Sequence, residues 1–238
     1  MIRTLIFAGG TGQRMNSRSK PKQFLEVHGK PIIIYTIEHF EYHPEIDDIV
    51  VVCLKEWIEE LQGILKRYGI TKVSLIVPGG ETGHDSIYLG LEAMNKTSKS
   101  DDIILIHDGV RPLITEELIT KNIRTAQECG NAITSESVRE SVVRSSDKRV
   151  IENMPPRDEM YIAKAPQTFR YAEIYELYLR ARKDGIKTVD SAYLCNIYNV
   201  RMSLVESTPN NLKITAPADY YIFRALYEAI ESQQIYGL

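Results

Sequence analysis

Short apolar runs alternate along this chain with longer stretches in which apolar residues return every third or fourth position. Leu5 to Ala8 is a run that stops at glycine, which predicts a buried strand. From Pro31 the positions Ile33, Ile34, Ile37 and Phe40 keep helical spacing, with proline in the first turn, where its missing N–H costs nothing. Ile49 to Leu54 is a continuous run rich in β-branched residues, as a strand covered on both faces requires. The alternation continues with a helix over about Glu56 to Tyr68, a strand at Val73 to Val77, a helix at Asp85 to Met94, a strand at Ile103 to Ile106 and a helix at Glu116 to Cys129.

Strands alternating with helices of roughly 10–15 residues build βαβ units. The expected fold class is therefore α/β, a mostly parallel twisted sheet with helices on both faces. In such sheets ligands bind beyond the carboxyl ends of the strands. That rule gathers three polar or glycine-rich loops on one rim: Gly9 to Lys22, Pro78 to Ser86 and His107 to Pro112. The pattern changes at Val138. Val138, Val142, Val143, Val150 and Ile151 predict strands around a turn at Ser145 to Lys148, and no crossover helix fits between them. A single domain over residues 1–238 with a hairpin arm at about 138–165 is the simplest organisation. Helices are also predicted at Tyr171 to Arg182 and Pro217 to Gln233, with a strand at Arg201 to Glu206.

Composition removes several classes of protein. With 238 residues, 43% of them hydrophobic and 26% charged, the chain buries a full core without disulfides or structural metals. No stretch approaches the roughly 20 apolar residues of a membrane span, and the apolar start of the chain is too short for a signal peptide. Cys53, Cys129 and Cys195 are odd in number and form no CxxC pair. A cytoplasmic protein without membrane contact or structural zinc is expected. A net charge of −3 argues against a nucleic-acid partner. The charge is unevenly spread, however. Between Met1 and Leu25 there is no acid, yet Arg3, Arg14, Arg18, Lys20 and Lys22 are all basic.

That basic segment reads Ala8-Gly9-Gly10-Thr11-Gly12-Gln13-Arg14-Met15, then Pro21-Lys22-Gln23. Glycines after a strand bring several backbone N–H groups to one point, which suits phosphate oxygens. Arg14 can clamp phosphate bidentately and Lys22 can act as a mobile point charge. The acidic residue of a dinucleotide fingerprint, expected ~20 residues further on, is not convincingly placed, and no G-K-[ST] ending of a Walker loop is present.

The second loop, Pro78-Gly79-Gly80-Glu81-Thr82-Gly83-His84-Asp85-Ser86, leads into a helix with Asp85 or Ser86 as the expected N-cap. Its glycines admit a flat ligand such as a base, and His84 reads equally well as an exposed loop residue. The third loop is Ile106-His107-Asp108-Gly109-Val110-Arg111-Pro112. Strand alternation sends His107 and Asp108 to opposite faces. Asp108 is then the site candidate, and His107 makes a structural hydrogen bond. Arg111 either holds Asp108 and the loop in place or faces substrate phosphate.

Together with Pro166-Gln167-x-Phe169 and Asn211-Leu212-Lys213-Ile214-Thr215, these motifs stand in the order and spacing of a known family. The chain resembles the cytidylyltransferases that make CDP-methylerythritol or CDP-ribitol, over essentially its whole length. The resemblance implies a Rossmann-like nucleotidyltransferase fold with CTP lying over the glycine loop. Ala8, Gly9, Gly10, Thr11 and Gly12 would cradle its phosphates, and Gly80, Ser86 and Gly109 would complete the CTP side. Arg14, Lys22 and Lys213 become the catalytic candidates. Asp108, Arg111, Ser141 and Arg157 become the candidates on the side of the phosphorylated alcohol. Mg2+ or another divalent cation is implied, held mainly by CTP phosphates, with Asp108 as the candidate protein ligand. In that family the arm exchanges across a dimer, so a homodimer is implied, with Arg157 serving its own or the partner's site.

Three departures stand out. Thr82-Gly83-His84 replaces a stretch that usually carries an arginine, Gly109-Val110 replaces Ala-Ala or Ala-Val, and Ala165 replaces threonine before Pro-Gln. Arg157-Asp158-Glu159-Met160-Tyr161 resembles the ribitol-phosphate branch, whereas Val138-Arg139-Glu140-Ser141 leans toward the methylerythritol branch. The expected reaction transfers CMP from CTP to D-ribitol 5-phosphate. Methylerythritol 4-phosphate or another pentitol phosphate such as arabinitol phosphate are the alternative acceptors. A nucleotide sensor without turnover would be expected to lose Lys22, Asp108 or Lys213, and all three are present. A nicotinamide oxidoreductase, read from the glycines alone, would bind NAD.

Overall fold

The computed structural model describes residues 1–10 and 20–236. Thr11, Gly12 and Arg14 lie outside the described residues. In chain order the strands are β1 (Ile2–Ala8), β2 (Glu26–Val27), β3 (Lys30–Pro31), β4 (Asp48–Cys53), β5 (Val73–Pro78), β6 (Ile103–Asp108), β7 (Asn131–Ser137), β8 (Tyr161–Arg170) and β9 (Leu204–Glu206). The helices are α1 (Ile32–Glu41), α2 (Ile58–Arg67), α3 (Gly83–Met94), α4 (Glu116–Cys129), α5 (Tyr171–Asp184), α6 (Ser191–Ile197) and α7 (Pro217–Tyr236). Seven strands make one sheet in the order β5-β4-β1-β6-β8-β7-β9, while β2 and β3 form a small separate ribbon.

β1 pairs in parallel with β4 and β6, and β4 with β5. β8 alone runs against its neighbours β6 and β7, and β9 returns parallel to β7. The predicted α/β class and mostly parallel sheet are therefore present. Every residue of β4 and β6 is buried, because alternate side chains enter layers on opposite faces. Ile6, Val51 and Leu105 join α1, α2 and α4 through Ile37, Leu61 and Ile119. Leu5, Val52 and Ile104 meet α3, α5 and α6 through Leu91, Tyr178 and Leu194. A third cluster, with Val110, Ile214 and Phe223, packs α7 against the loop after β6.

Three expectations need correction. β7 and β8 were not predicted as paired strands, because Asn131-Ala132-Ile133-Thr134-Ser135-Glu136-Ser137 is mostly polar. Asn131, Thr134 and Ser135 are buried and hydrogen-bonded. Asn122 of α4 donates to Thr134 Oγ1 at 2.9 Å and its Oδ1 accepts from Thr168 of β8 at 3.3 Å. The arm is also less regular than a hairpin of two apolar strands. Pairing continues from β7 and β8 only to the bond from Val138 N to Met160 O (3.0 Å). Beyond it there is one isolated bridge, Arg144 with Asn153, so Val142, Val143, Val150 and Ile151 are not in strands. The turn is where the sequence placed it, closed by Asp147 accepting from Arg149 N and Val150 N. Finally, Arg3 does not belong with the basic loop. It lies in β1 away from the loop and is buried against Asp48 at 2.5 Å.

Candidate active site

Each loop of the rim follows a carboxyl end of the parallel strands. The first two touch through their backbones. A side chain on Gly79 would place its Cβ 3.2 Å from the Cα of Gly9, and one on Gly9 would stand 3.0 Å from Ser86 Oγ. Both contacts are tighter than most side-chain neighbours, so a methyl group at either position would push the two loops apart by a few tenths of an ångström. The same reasoning explains the departure at Gly109, where an added Cβ would come within 2.8 Å of the Ala8 Cβ. Ser86 Oγ accepts from Gly80 N at 3.2 Å and donates to Thr82 O at 2.9 Å, which fixes the glycine turn to the helix. The N-cap of α3 is Thr82 rather than Asp85 or Ser86. Its hydroxyl accepts from Asp85 N while the Asp85 carboxylate accepts from Thr82 N, a closed capping box.

Gln23 is buried and donates to Ala8 O at 2.6 Å, so the short turn carrying Lys22 is tied to the end of β1. Lys22 in turn donates to Ile214 O at 2.9 Å, which places it beside the segment that carries Lys213. Asp219 holds that segment from the first turn of α7, accepting from Thr215 N, Thr215 Oγ1 and Ala216 N. Ile214 N donates to Val110 O at 2.9 Å. The two predicted lysines, distant in sequence, are thus brought together.

Asp108 lies at the end of β6 with Arg111 donating to Oδ2 at 2.8 Å and Lys213 paired with Oδ1. Arg111 also donates to Asn211 O at 3.0 Å, and Asn211 donates to Ala165 O at 2.7 Å. Burial by itself would raise the Asp108 carboxyl, but Lys213 and Arg111 outweigh it and hold the pKa well below the usual range. With the folded value depressed, the stability from this carboxylate is present above its ordinary pKa and fades only as pH falls through the lower one. Two cations against one carboxylate leave a net positive charge, and Lys213 is 38% exposed. The cluster is therefore built to receive an anion.

Asp108, Arg111 and Lys213 line a cavity of about 180 Å³ that continues past Lys164, Gln167 and Asp190. Ser141 and Arg157, both on the arm, are exposed and do not line it. His107 is fully buried, and its Nε2 lies 3.2 Å from Arg111 O. Burial drives its pKa down to about 3, so it is neutral and structural.

This chain matches the IspD family, 2-C-methyl-D-erythritol 4-phosphate cytidylyltransferase, over residues 2–229. It belongs to that family. It is 47% identical over 235 residues to the ribitol-5-phosphate cytidylyltransferase of Streptococcus agalactiae serotype Ia, with 98% of each chain covered. It is 36% identical over 226 residues to the 2-C-methyl-D-erythritol 4-phosphate cytidylyltransferase of Clostridium botulinum strain Langeland, with 95% and 97% covered. The crystal structure of 4-diphosphocytidyl-2C-methyl-D-erythritol synthase from Anaerococcus prevotii superposes with a TM-score of 0.82 at 27% identity, covering 95% of this chain and 96% of that one.

In this cytidylyltransferase the donor set does not fit a protein-held divalent cation. Among the described residues no three His, Cys, Asp or Glu side chains cluster, and both oxygens of Asp108 are already engaged by cations. Sequence reasoning assigned no role to Gln23 or Asn211, although both stand inside quoted motifs beside Lys22 and Lys213. It also left His84 open as an exposed loop residue. The cytidylyltransferase buries it at 3% exposure, with Nδ1 accepting from Thr188 N at 3.3 Å and the ring 4.7 Å from Tyr178. His84 therefore joins the second glycine loop to the 187–191 segment, on which Asp190 lines the cavity.

Proposed function

We propose that the protein transfers CMP from CTP to D-ribitol 5-phosphate, giving CDP-ribitol and pyrophosphate. The observation that carries this reading is the net-positive cluster of Asp108, Arg111 and Lys213 beside Lys22, at the rim where the glycine loops meet. The acceptor's phosphate is largely ionised at neutral pH, its second pKa being about 6. One of its oxygens attacks the α-phosphorus of CTP, the bond to the β-phosphate breaks, and the electron pair leaves with pyrophosphate. No protein nucleophile or base is needed. The protein's task is to align two mutually repelling anions and offset their charge. Ala8, Gly9, Gly10, Thr11 and Gly12 cradle the triphosphate, with Gly80, Ser86 and Gly109 on the nucleoside side. Arg14, Lys22 and Lys213 compensate charge at the reacting phosphates. Asp108 holds Lys213 and Arg111 in place. Magnesium on this reading arrives as the magnesium complex of CTP, as part of the substrate.

The greater identity to a ribitol-5-phosphate enzyme supports the acceptor chosen, and the family description supports methylerythritol 4-phosphate as the second reading. Pyrophosphate release from CTP with each acceptor in turn decides between them. Faster turnover with ribitol 5-phosphate is expected, and turnover with methylerythritol 4-phosphate alone would reverse the choice. Consumption of CTP and three unpaired cysteines, two of them buried, support a cytoplasmic setting.

The arm supports a homodimer. Val150, Ile151, Met154 and Ile162 are each more than half exposed, an apolar surface that a second copy would cover. Arg157, and with it Ser141, then reaches the partner's acceptor. Light scattering should give a mass near twice 27.2 kDa, and a monomer at micromolar concentration would remove this part of the proposal.

A further inference from the structure

A second ion pair stands at the base of the arm, at the edge of the cavity that holds the cationic cluster. Lys164 of β8 lines that cavity, and its ammonium pairs with Glu136 of the adjacent strand β7. The two side chains are only 11% and 16% exposed. Taking a lysine and a glutamate this far out of water is costly, and two apolar residues would join the strands at least as well. Strand pairing alone does not account for the pair.

The two parts of the cavity differ in charge. Asp108 with Arg111 and Lys213 carries a net positive charge, whereas Lys164 with Glu136 carries none, and Asp190, which also lines the cavity, adds a negative one. A phosphate bearing about −1.5 to −2 at neutral pH is drawn to the first. Uncharged hydroxyl groups suit the second. An ammonium has three N–H donors. One faces Glu136, so the others remain for ligand oxygens.

Resting on the proposed alditol phosphate acceptor, the geometry points to Lys164 as the residue that reads its hydroxyl chain. Glu136, which does not line the cavity, is the positioning residue. It orients the ammonium and cancels its charge, so that the acceptor's phosphate is not drawn to the wrong end.

The test is steady-state pyrophosphate release by the full chain, with CTP and ribitol 5-phosphate varied separately. The double variant Lys164→Met/Glu136→Leu removes both charges without leaving either unpaired, and thermal melting followed by circular dichroism checks its fold. KM for ribitol 5-phosphate should rise about 10-fold or more, as loss of a hydrogen bond to a charged donor does, with KM for CTP unchanged. The penalty should shrink for a five-carbon diol monophosphate that lacks the inner hydroxyls. Glu136→Gln should make inorganic phosphate a stronger inhibitor, a change that a purely structural pair would not produce. An unchanged KM for ribitol 5-phosphate in the folded double variant overturns the inference, as does an equal rise for CTP. If the wild-type protein accepts methylerythritol 4-phosphate instead, only the choice of acceptor falls, and the same split is then required with that hydroxyl-bearing substrate.

Discussion

The sheet has two unlike flanks, and they make their functional surfaces by different means. On the parallel side, β1, β4 and β6 are held by aliphatic layers on both faces, and Gly9 and Gly79 bring the backbones beyond β1 and β5 into close approach. On the other side, β7 and β8 are joined through buried polar side chains, Asn122, Thr134 and Thr168, and beyond them stands the exposed arm. An aliphatic flank tolerates shape changes but supplies no chemistry, so its lysines must be pinned by loops. A polar flank specifies register through donors and acceptors, and it presents Lys164 and Gln167 directly to the cavity.

The largest expected effect tests the pinned lysines. Lys22→Ala should lower kcat by ~10²-fold or more, about 2.7 kcal/mol in the barrier, with the fold retained. Unchanged turnover in a folded variant would move the chemistry away from the parallel flank. Next comes the polar seam. Asn122→Ala leaves the hydroxyls of Thr134 and Thr168 without their partner and should cost about 2 kcal/mol in urea unfolding. Replacing all three at once by Leu, Val and Val should recover much of that loss, because no polar group is then left alone. If the triple variant is worse than the single one, the seam contributes more than mutual satisfaction. The smallest effect belongs to Thr82→Ala. Loss of the cap should cost about 1 kcal/mol in the same unfolding experiment and weaken CTP binding only through the glycine turn that Ser86 holds.

The parallel flank was legible residue by residue. Leu5 to Ala8, Ile49 to Cys53 and Ile103 to Ile106 lie in strands covered on both faces, as short aliphatic runs rich in β-branched residues and bounded by polar loops predict. The convergence of Gly9, Gly79 and Asp108 followed from topology. The antiparallel flank was not legible. Thr134 and Thr168 carry no apolar signal, and both are buried against Asn122 of α4. The valines and isoleucines of the arm misled in the opposite direction, since an apolar run reads as a strand even where no second strand lies beside it. His84 was ambiguous because its burial depends on Tyr178, almost a hundred positions away in the sequence.

Local pattern thus determined which segments become strands and helices, which loops face the rim, and which residue types are available there for phosphate. That information is local because hydrophobic period, glycine content and charge act over a few residues. Only the tertiary structure decided that Lys22 meets the Lys213 segment, that Arg111 braces Asp108, and that Lys164 pairs with Glu136 at the cavity. Those contacts join side chains from separate elements, and their electrostatic consequences exist only once burial has removed the water between them.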